Sequence, residues 1–163
     1  MRLKLLSVNV GLPRIIGQVN GEDVLSGIAK KTVRADSVLL LPADLGEFDR
    51  LPELVARTIG RFGRLDALVN NASAFFPTPF GTTTPMQWEA LFAANVRAPF
   101  FLAQAAAPHL QATGGAIVNL VDIHGERPLR DHAVYGMSKA ALIQMTRALA
   151  LELAPDVRVN AVA

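Results

Sequence analysis

Apolar residues occur along this chain in short continuous runs that are separated by longer, mixed segments. Such runs occupy residues 37–42, 65–70, 116–121 and 157–162, and a similar run, LKLLSVNV, lies near the N-terminus. A short apolar run bounded by polar or turn-forming residues is typical of a strand that is covered on both faces. Each of these runs is therefore predicted to be a strand.

The longer segments between the runs have the end signals of helices. Residues 44–62 begin with Asp-Leu-Gly-Glu and residues 84–111 with Thr-Pro-Met-Gln, both of which have the spacing of a capping box. Proline at the first helical position, as in the second case, strengthens that prediction. A third helix is expected over about 135–153, because the segment is rich in alanine and leucine and Pro155 follows it.

Strands and helices thus alternate along most of the sequence. This order predicts right-handed crossovers between parallel strands, with helices on both faces of the sheet. We expect the whole chain, 1–163, to form one α/β domain with a doubly wound parallel sheet.

Composition narrows the possible functions. The chain has 163 residues, 51% of them apolar, and a mean hydropathy of +0.31, but no apolar run is long enough to span a membrane. The excess of apolar residues is expected in a buried sheet and in subunit contacts. A net charge of +2 with scattered basic residues does not indicate a nucleic-acid or membrane surface. With no cysteine and no signal peptide recognised, a cytoplasmic protein is expected.

A metal site is not expected from this sequence. Cysteine ligands are excluded by the composition. The histidines at positions 109, 124 and 132 lack the spacing that would place two of them on one helix face with a carboxylate.

Tyr135 and Lys139 stand four residues apart at the start of the third predicted helix. On a helix, such positions share one face, with Cβ atoms about 5–6 Å apart. A nearby ammonium favours the phenolate and lowers the pKa of a tyrosine from its ordinary value of about 10. The pair has the arrangement of a general acid, although the same spacing also occurs where a packed tyrosine lies beside a solvated lysine.

Other polar residues follow the predicted strands directly. Asp44 comes after the strand at 37–42, the segment 70–73 (Asn-Asn-Ala-Ser) after the next, and Asp122 after the third. Ligands of doubly wound sheets bind beyond the carboxyl ends of the strands. These residues are therefore expected to lie near Tyr135 and Lys139, in one site.

Taken together, these motifs resemble those of the short-chain dehydrogenase/reductases. The resemblance covers about residues 37–163 and rests on Tyr135-x3-Lys139, the Asn70-Asn71-Ala72 turn after LDALV, Asn95, and the ending VRVNAVA. It implies a Rossmann-like dinucleotide-binding domain and a homo-oligomer that assembles through the two long helices.

Two departures from the usual pattern indicate a branch of that family. Asp122 stands where most members have serine, thirteen residues before the tyrosine, and the turn continues as Ala72-Ser73-Ala-Phe75-Phe76 where most have Ala-Gly. Both features resemble the pteridine reductases. That resemblance implies NADPH as cofactor and a pterin-like substrate.

The resemblance also implies catalytic roles. Tyr135 donates the proton as hydride arrives from the nicotinamide, Lys139 holds the ribose and lowers the pKa of Tyr135, and Asp122 assists the tyrosine and contacts the pterin. Asn95 is implied to hold a water of a proton relay on its carbonyl. Pro99, four residues later, lacks an N–H, so that carbonyl loses its helical donor and the helix is expected to kink.

Cofactor and substrate contacts are implied for further residues. Asp44 is expected at the adenine edge, and Phe75 is expected to stack the pterin against the nicotinamide, with Phe76 beside it. The residues implied to line the cofactor, mostly through their main chain, are Asn70, Ala72 and Ser73.

Most of these residues also have a purely structural interpretation. Asp44 and Asp122 can cap a helix or a turn, Asn95 can be satisfied by the core, and Phe75 can anchor its loop. Arg127 and Arg130 are expected to be solvated.

The first 36 residues depart most from the family pattern. A dinucleotide-binding domain needs a glycine-rich turn after its first strand. Gly11 and Gly17 retain the outer glycines of that turn, or they are ordinary loop glycines. The second strand, which normally selects NADP over NAD, is expected to be missing or replaced, and Lys30, Lys31 and Arg34 are the basic residues nearest to that role.

The C-terminal strand of the fold is likewise expected to be incomplete, since the sequence ends within or just after VRVNAVA.

Three functions remain open from the sequence. The first is an NADPH-dependent reductase of pteridine-like substrates, and the second is a catalytically impaired paralogue that only oligomerises with a complete relative. The third is a reductase of another carbonyl, such as a 3-oxoacyl thioester.

Overall fold

A parallel sheet organises the fold in the computed structural model, which describes residues 5–8 by their main chain together with 39, 41 and 43–163. Within these ranges, four strands pair in chain order, all of them parallel. They are β1 (Leu5–Val8), β2 (Ala67–Asn70), β3 (Ala116–Leu120) and β4 (Arg158–Val162). The predicted strands at these four places are confirmed.

The strand predicted at 37–42 is not confirmed in the part that can be examined. Leu39 and Leu41 are not in a strand, and the other residues of that run lie outside the described ranges. The expected glycine-rich turn at Gly11 and Gly17 and the basic residues Lys30, Lys31 and Arg34 also lie outside them.

The helices that connect the strands are α1 (Leu51–Phe62), α2 (Pro85–Phe92), α3 (Ala98–Gln111) and α4 (Ala133–Glu152). At the start of α2, the Thr84 hydroxyl accepts the N–H of Gln87, whose side chain accepts the N–H of Thr84. That capping box was predicted from the sequence and is confirmed.

The predicted start of the first helix is wrong. Asp44 accepts the N–H of Gly46 at 2.7 Å and so closes a local turn instead of capping a helix. The chain then forms a 3₁₀ turn at Phe48–Arg50 before α1 begins at Leu51, with Pro52 in its first turn. Since proline lacks an N–H, it fits best in the first turn of a helix, where that group has no intrahelical acceptor.

Between α2 and α3 the helix widens into a π-helical turn, Ala93–Arg97. The N–H of Ala98 donates to the carbonyl of Ala93, five residues back, and Pro99 follows directly. The irregularity expected from Pro99 is therefore present, and it takes the form of an extra residue in one turn. That extra residue lies in the stretch that contains Asn95.

One face of the sheet is covered by α1, α3 and α4. A single buried cluster joins the helices and strands of this layer, and Leu149 of α4 packs against it. Its central members are Leu54, Leu68, Leu102, Ala106, Ile117 and Val159. Within the described ranges, the three helices predicted from the sequence therefore pack on the same face of the sheet.

At the carboxyl edge of the sheet, a turn lies unusually close to α4. The 3₁₀ turn Ile123–Gly125 follows β3, and a Cβ added to Gly125 would lie 3.0 Å from the main chain at Lys139 and Ala140. A Cβ added to Gly136 would likewise lie 2.9 Å from the carbonyl of His124. Two glycines thus allow the turn after β3 to rest on the first turns of α4.

In the described part of the chain, no helix has the length and apolarity needed to cross a bilayer.

Candidate active site

The predicted acid, Tyr135, is hydrogen bonded to the predicted auxiliary carboxylate. Its hydroxyl donates to Asp122 Oδ2 at 2.7 Å, and the other carboxylate oxygen accepts the N–H of His124 at 2.8 Å. Tyr135 is buried in the first turn of α4, whereas Asp122 is half-buried at the end of β3. The contact joins two elements that meet at the carboxyl edge of the sheet.

This contact raises the pKa of Tyr135 above its ordinary value. Burial is the largest cause, and the hydrogen bond to Asp122 and the charge of that carboxylate act in the same direction. The net shift is thus opposite to the lowering that was expected from Lys139, because burial and Asp122 dominate it. The phenol remains protonated throughout the neutral range, as a proton donor requires.

Asp122 keeps its charge. Burial opposes ionisation, but the hydrogen bonds from His124 and Tyr135 outweigh it and hold the pKa of Asp122 below its usual value. The charge of Lys139 adds to that effect. The pair thus consists of a neutral phenol that donates a hydrogen bond to an ionised carboxylate.

Lys139 is a buried cation beside this pair. Its side chain is 3% exposed, its Nζ donates to the carbonyl of Leu120 at 2.9 Å, and Nζ lies 5.8 Å from the centre of the Tyr135 ring. Burial lowers the pKa of Lys139, and the charge of Asp122 partly offsets this. The ammonium has three N–H groups, so two remain for a ligand within the described part of the chain.

Asn95 fastens the loop after β2 to the start of α4. Its side chain forms two hydrogen bonds with the main chain of Ala74, accepting at 2.8 Å and donating at 3.0 Å. The same amide group donates to the Ser138 hydroxyl at 2.9 Å, and Ser138 donates to the carbonyl of Tyr135. The Ser73 hydroxyl also donates to Asn95, at 3.1 Å. The side chain of Asn95 therefore positions the loop, a role that the sequence argument from its carbonyl did not include.

Asn70 belongs to a second buried network, at the ends of β2 and β3. Its amide donates to Asn119 at 2.8 Å, and Asn119 donates to the Thr146 hydroxyl of α4 at 2.9 Å. The Oδ1 atom of Asn70 is buried without a partner among the residues that the structure describes. Ala72 is buried two residues further along the same loop.

Phe75 lies against Tyr135. Its ring is 4.7 Å from the Tyr135 ring in an edge-to-face arrangement, and 53% of the residue is exposed. Phe76, by contrast, packs on a small buried cluster that contains Leu91 and Val134. Phe76 is thus the loop anchor, while Phe75 presents an aromatic surface next to the Tyr135 hydroxyl.

Asp44 is exposed, in the turn before α1. The structure therefore brings together Tyr135, Lys139, Asp122, Asn95, Ser73 and Phe75, whereas Gly11 and Gly17 lie outside the described ranges.

Sequence reasoning missed three residues that shape this site. Ser138 could have been found, because it lies within the Tyr-x3-Lys motif and three residues from Tyr135 on the same helix face. Asn119 and His132 had no such signal, because their contacts depend on strand register and on the course of a loop. The described side chains contain no group of three or more metal-binding residues.

Comparison with known proteins supplies the family. Residues 15–163 match the family model described as "Enoyl-(Acyl carrier protein) reductase". The match begins earlier in the sequence than the range inferred from the motifs. It covers well over half of the chain, and it includes every described helix.

Individual relatives agree with this match. Pteridine reductase 1 of Leishmania tarentolae is 36% identical over 162 residues, which covers 80% of this chain and 56% of the relative. The crystal structure of a short-chain dehydrogenase/reductase, glucose/ribitol dehydrogenase, from Brucella melitensis has a TM-score of 0.81 at 31% identity, and covers 86% of this chain and 57% of its own. The structure "ElxO with NADP Bound" has a TM-score of 0.79 at 27% identity, over 88% and 59% of the two chains.

The chain spans about half to three-fifths of the length of the curated relatives that it matches. The family match includes β2, β3, β4 and the cluster around Tyr135. By the family match and by its fold, this chain belongs to the short-chain dehydrogenase/reductases.

Proposed function

We propose that this chain is an NADPH-dependent reductase of pterin-like substrates, in which Tyr135 is the proton donor. The observation that supports the proposal is the 2.7 Å hydrogen bond from the Tyr135 hydroxyl to Asp122, beside the buried ammonium of Lys139. Similarity to a pteridine reductase and to ElxO with NADP bound supports the same assignment.

The residues around Lys139 fit a nicotinamide nucleotide. A buried ammonium with one carbonyl partner has donors left for the two hydroxyls of a ribose. Ser73 and the main chain of Ala72 lie on the adjoining loop, and we assign them to the nicotinamide side. Asp44 is assigned to the adenine edge, and Gly11 and Gly17 to the diphosphate. When bound, the cofactor supplies a hydride.

In the proposed reaction, Tyr135 gives its proton to the substrate atom that becomes negative as hydride arrives. Asp122 holds the hydroxyl in place beforehand and keeps it protonated, since its charge opposes the phenolate. After transfer, the phenolate lies near Lys139, whose positive charge stabilises it. Phe75 is assigned as a wall for a flat substrate ring, because it is exposed and touches Tyr135.

Replacement of Tyr135 by phenylalanine tests the proposal. With NADPH and a dihydropterin, the variant should lose the oxidation of NADPH by about 10²–10⁴-fold, the usual contribution of a positioned general acid. Its affinity for NADPH, measured by calorimetry, should stay within a few-fold. The Phe62→Leu variant, altered at the far end of α1, is the control that keeps full activity. Absence of NADPH binding by the unaltered chain would contradict the proposal.

Two other functions make different predictions. A catalytically impaired paralogue would form oligomers without any affinity for nucleotides. A reductase of acyl thioesters, such as a 3-oxoacyl thioester, is supported by the matching family, whose description includes an acyl carrier protein. A panel that compares a dihydropterin with a short 3-oxoacyl thioester under the same conditions separates this function from pterin reduction.

A further inference from the structure

The ring of Phe75 is held by a histidine as well as by Tyr135. The His132 ring lies parallel to it, with the centres 4.7 Å apart and the planes inclined by 13°. Tyr135 meets the same ring at 81°. Because 53% of Phe75 remains exposed, the two contacts fix its orientation and still leave an aromatic surface open to a ligand.

His132 is itself fixed in orientation. Its Nδ1 lies 2.8 Å from the carbonyl of Arg130, and since a carbonyl only accepts, Nδ1 bears the proton of this contact. The imidazole plane is thus set by a main-chain atom of its own loop. His132 directly precedes α4, three residues before Tyr135, so its position is tied to that of the acid.

The main chains of the two loops are also joined. The N–H of Thr78 donates to the carbonyl of Asp131, and Thr78 and His132 form an isolated parallel bridge. Asp131 adopts a left-handed conformation, with φ of 60°, in the residue that precedes His132. The stack of the two rings therefore lies between backbones that are held at a fixed separation.

From these contacts we propose that His132 is a positioning residue that holds Phe75 as a flat wall beside the Tyr135 hydroxyl, and that the wall selects planar ring substrates over flexible chain carbonyls. The inference rests on the proposed function, since it concerns the substrate of that reaction. A ring whose orientation is already fixed loses no further conformational entropy when a planar ligand stacks on its face. A flexible chain gains little from such stacking.

The stack can be tested without turnover. The chain has three histidines, so its imidazole proton signals are few enough to assign by single substitutions. Phe75→Leu should move the ring-proton signals of His132 in the NMR spectrum and leave those of His109 unchanged, because only His132 lies over the Phe75 ring. Phe80→Leu, at a fully exposed phenylalanine of the same loop, is the matched control and should move none of them.

The selection is tested with His132→Ala and His132→Phe. The alanine variant should raise KM for a dihydropterin by about 3–10-fold, the factor expected from loss of an aromatic stack, with a smaller change in kcat. His132→Phe should restore KM, since a phenyl ring can stack in the same place. For a short linear 3-oxoacyl thioester, KM should be equal in all three proteins. His109→Ala, on α3, is the control substitution.

The outcomes separate this inference from the proposed function. If His132→Ala raises KM equally for the planar and the linear substrate, or if the phenylalanine variant does not restore it, the inference is overturned although turnover persists. If the unaltered chain oxidises no NADPH with either substrate, the proposed function fails. In that case the affinity for an oxidised pterin, measured by the fluorescence of the pterin, is compared between the variants instead of KM. A loss of about 3–10-fold in His132→Ala supports the stack, and equal affinity overturns it.

Discussion

At the scale of single residues, the central feature is a phenol whose proton is shared with a carboxylate. Asp122 holds the Tyr135 hydroxyl and raises the pKa of that group, as burial does. Because the folded state keeps this proton more strongly than an unfolded tyrosine does, this contribution to stability is complete below about pH 10. It is lost as the pH rises through the higher value of the folded state.

Replacement of Asp122 by asparagine should lower the pKa of Tyr135. An amide can still accept the hydroxyl proton, but it does not repel the phenolate, so ionisation begins at a lower pH than in the unaltered protein. Tyr135 is the only tyrosine of the chain, and its ultraviolet absorbance therefore follows the titration directly. Circular dichroism at each pH verifies that the protein remains folded.

Glu126→Gln provides the control for this titration. Glu126 is exposed in the turn after Asp122, and loss of its charge should leave the phenol titration unchanged. If the phenol of Asp122→Asn ionised no earlier than that of the unaltered protein, the carboxylate would not be a cause of the raised pKa.

The residues of this cluster could largely be predicted from the sequence, but their electrostatics could not. Helix periodicity places Tyr135 and Lys139 on one face, and parallel strands end at one edge, so Asp122 was expected nearby. The direction of the pKa shift depends first on the burial of the phenol and then on which charged group lies nearer to its oxygen. Lys139 donates to the carbonyl of Leu120 while Asp122 accepts the phenol, and spacing along the chain does not specify that choice.

At the scale of elements, the site depends on how closely the turn after β3 approaches α4. Gly125 and Gly136 allow that approach, because a Cβ at either position would meet main-chain atoms of the other element within 3.0 Å. Main chain cannot move aside as a flexible side chain can. The distance between Asp122 and Tyr135 therefore depends on Gly125 and Gly136, although neither glycine has a side chain that could contact them.

Gly125→Ala should separate the turn from α4. We expect a loss of about 2 kcal/mol in the free energy of unfolding, typical of overpacking, and a decrease of about 4–8 °C in Tm. The hydrogen bond between Tyr135 and Asp122 should weaken with it, so the phenol should titrate at a lower pH than in the unaltered protein. Thermal unfolding followed by circular dichroism measures the first effect.

Gly60→Ala is the matched control, at an exposed position within α1 where an added Cβ meets no atom within 4 Å. Alanine is the better helix former there, and the protein should gain roughly 0.5–1 kcal/mol. Equal stability of the two alanine variants would contradict the importance of the close approach at Gly125.

The elements themselves were predicted with uneven success, for physical reasons. Thr84 and Gln87 form the expected capping box because both side chains are local to the helix start. Asp44 and Glu47 have the same spacing, but Pro52 delays the regular helix and Asp44 turns to Gly46. Pro99 predicted an irregular helix. The form of that irregularity, the π-helical turn at Ala93–Arg97, also depends on the packing of Asn95, which the sequence did not predict.

At the scale of the whole molecule, apolar side chains remain exposed on the two long helices. Phe100 on α3 is 40% exposed and Leu151 on α4 is 82% exposed. Apolar surface that is exposed on a folded chain can be covered by another subunit, as contiguous exposed apolar patches often are. We propose that α3 and α4 form the interface of a homo-oligomer.

Phe100→Glu should reduce the mass of the assembly. A charge at this position would be buried against a partner subunit at high cost, so size-exclusion chromatography with light scattering should detect a smaller species. Phe80→Glu is the control, because Phe80 is fully exposed but lies on the loop before α2. An unchanged mass for Phe100→Glu would place the interface elsewhere.

The side chain of Asn95 makes two parts of the molecule energetically interdependent. It bonds at once to the main chain of Ala74 and to Ser138, so the loop of Phe75 and the helix of Tyr135 share one buried amide group. Free-energy changes at residues in one hydrogen-bond network do not add. In the reaction that we propose, substitutions in the loop of Phe75 and in the helix of Tyr135 should therefore not be independent in their effects.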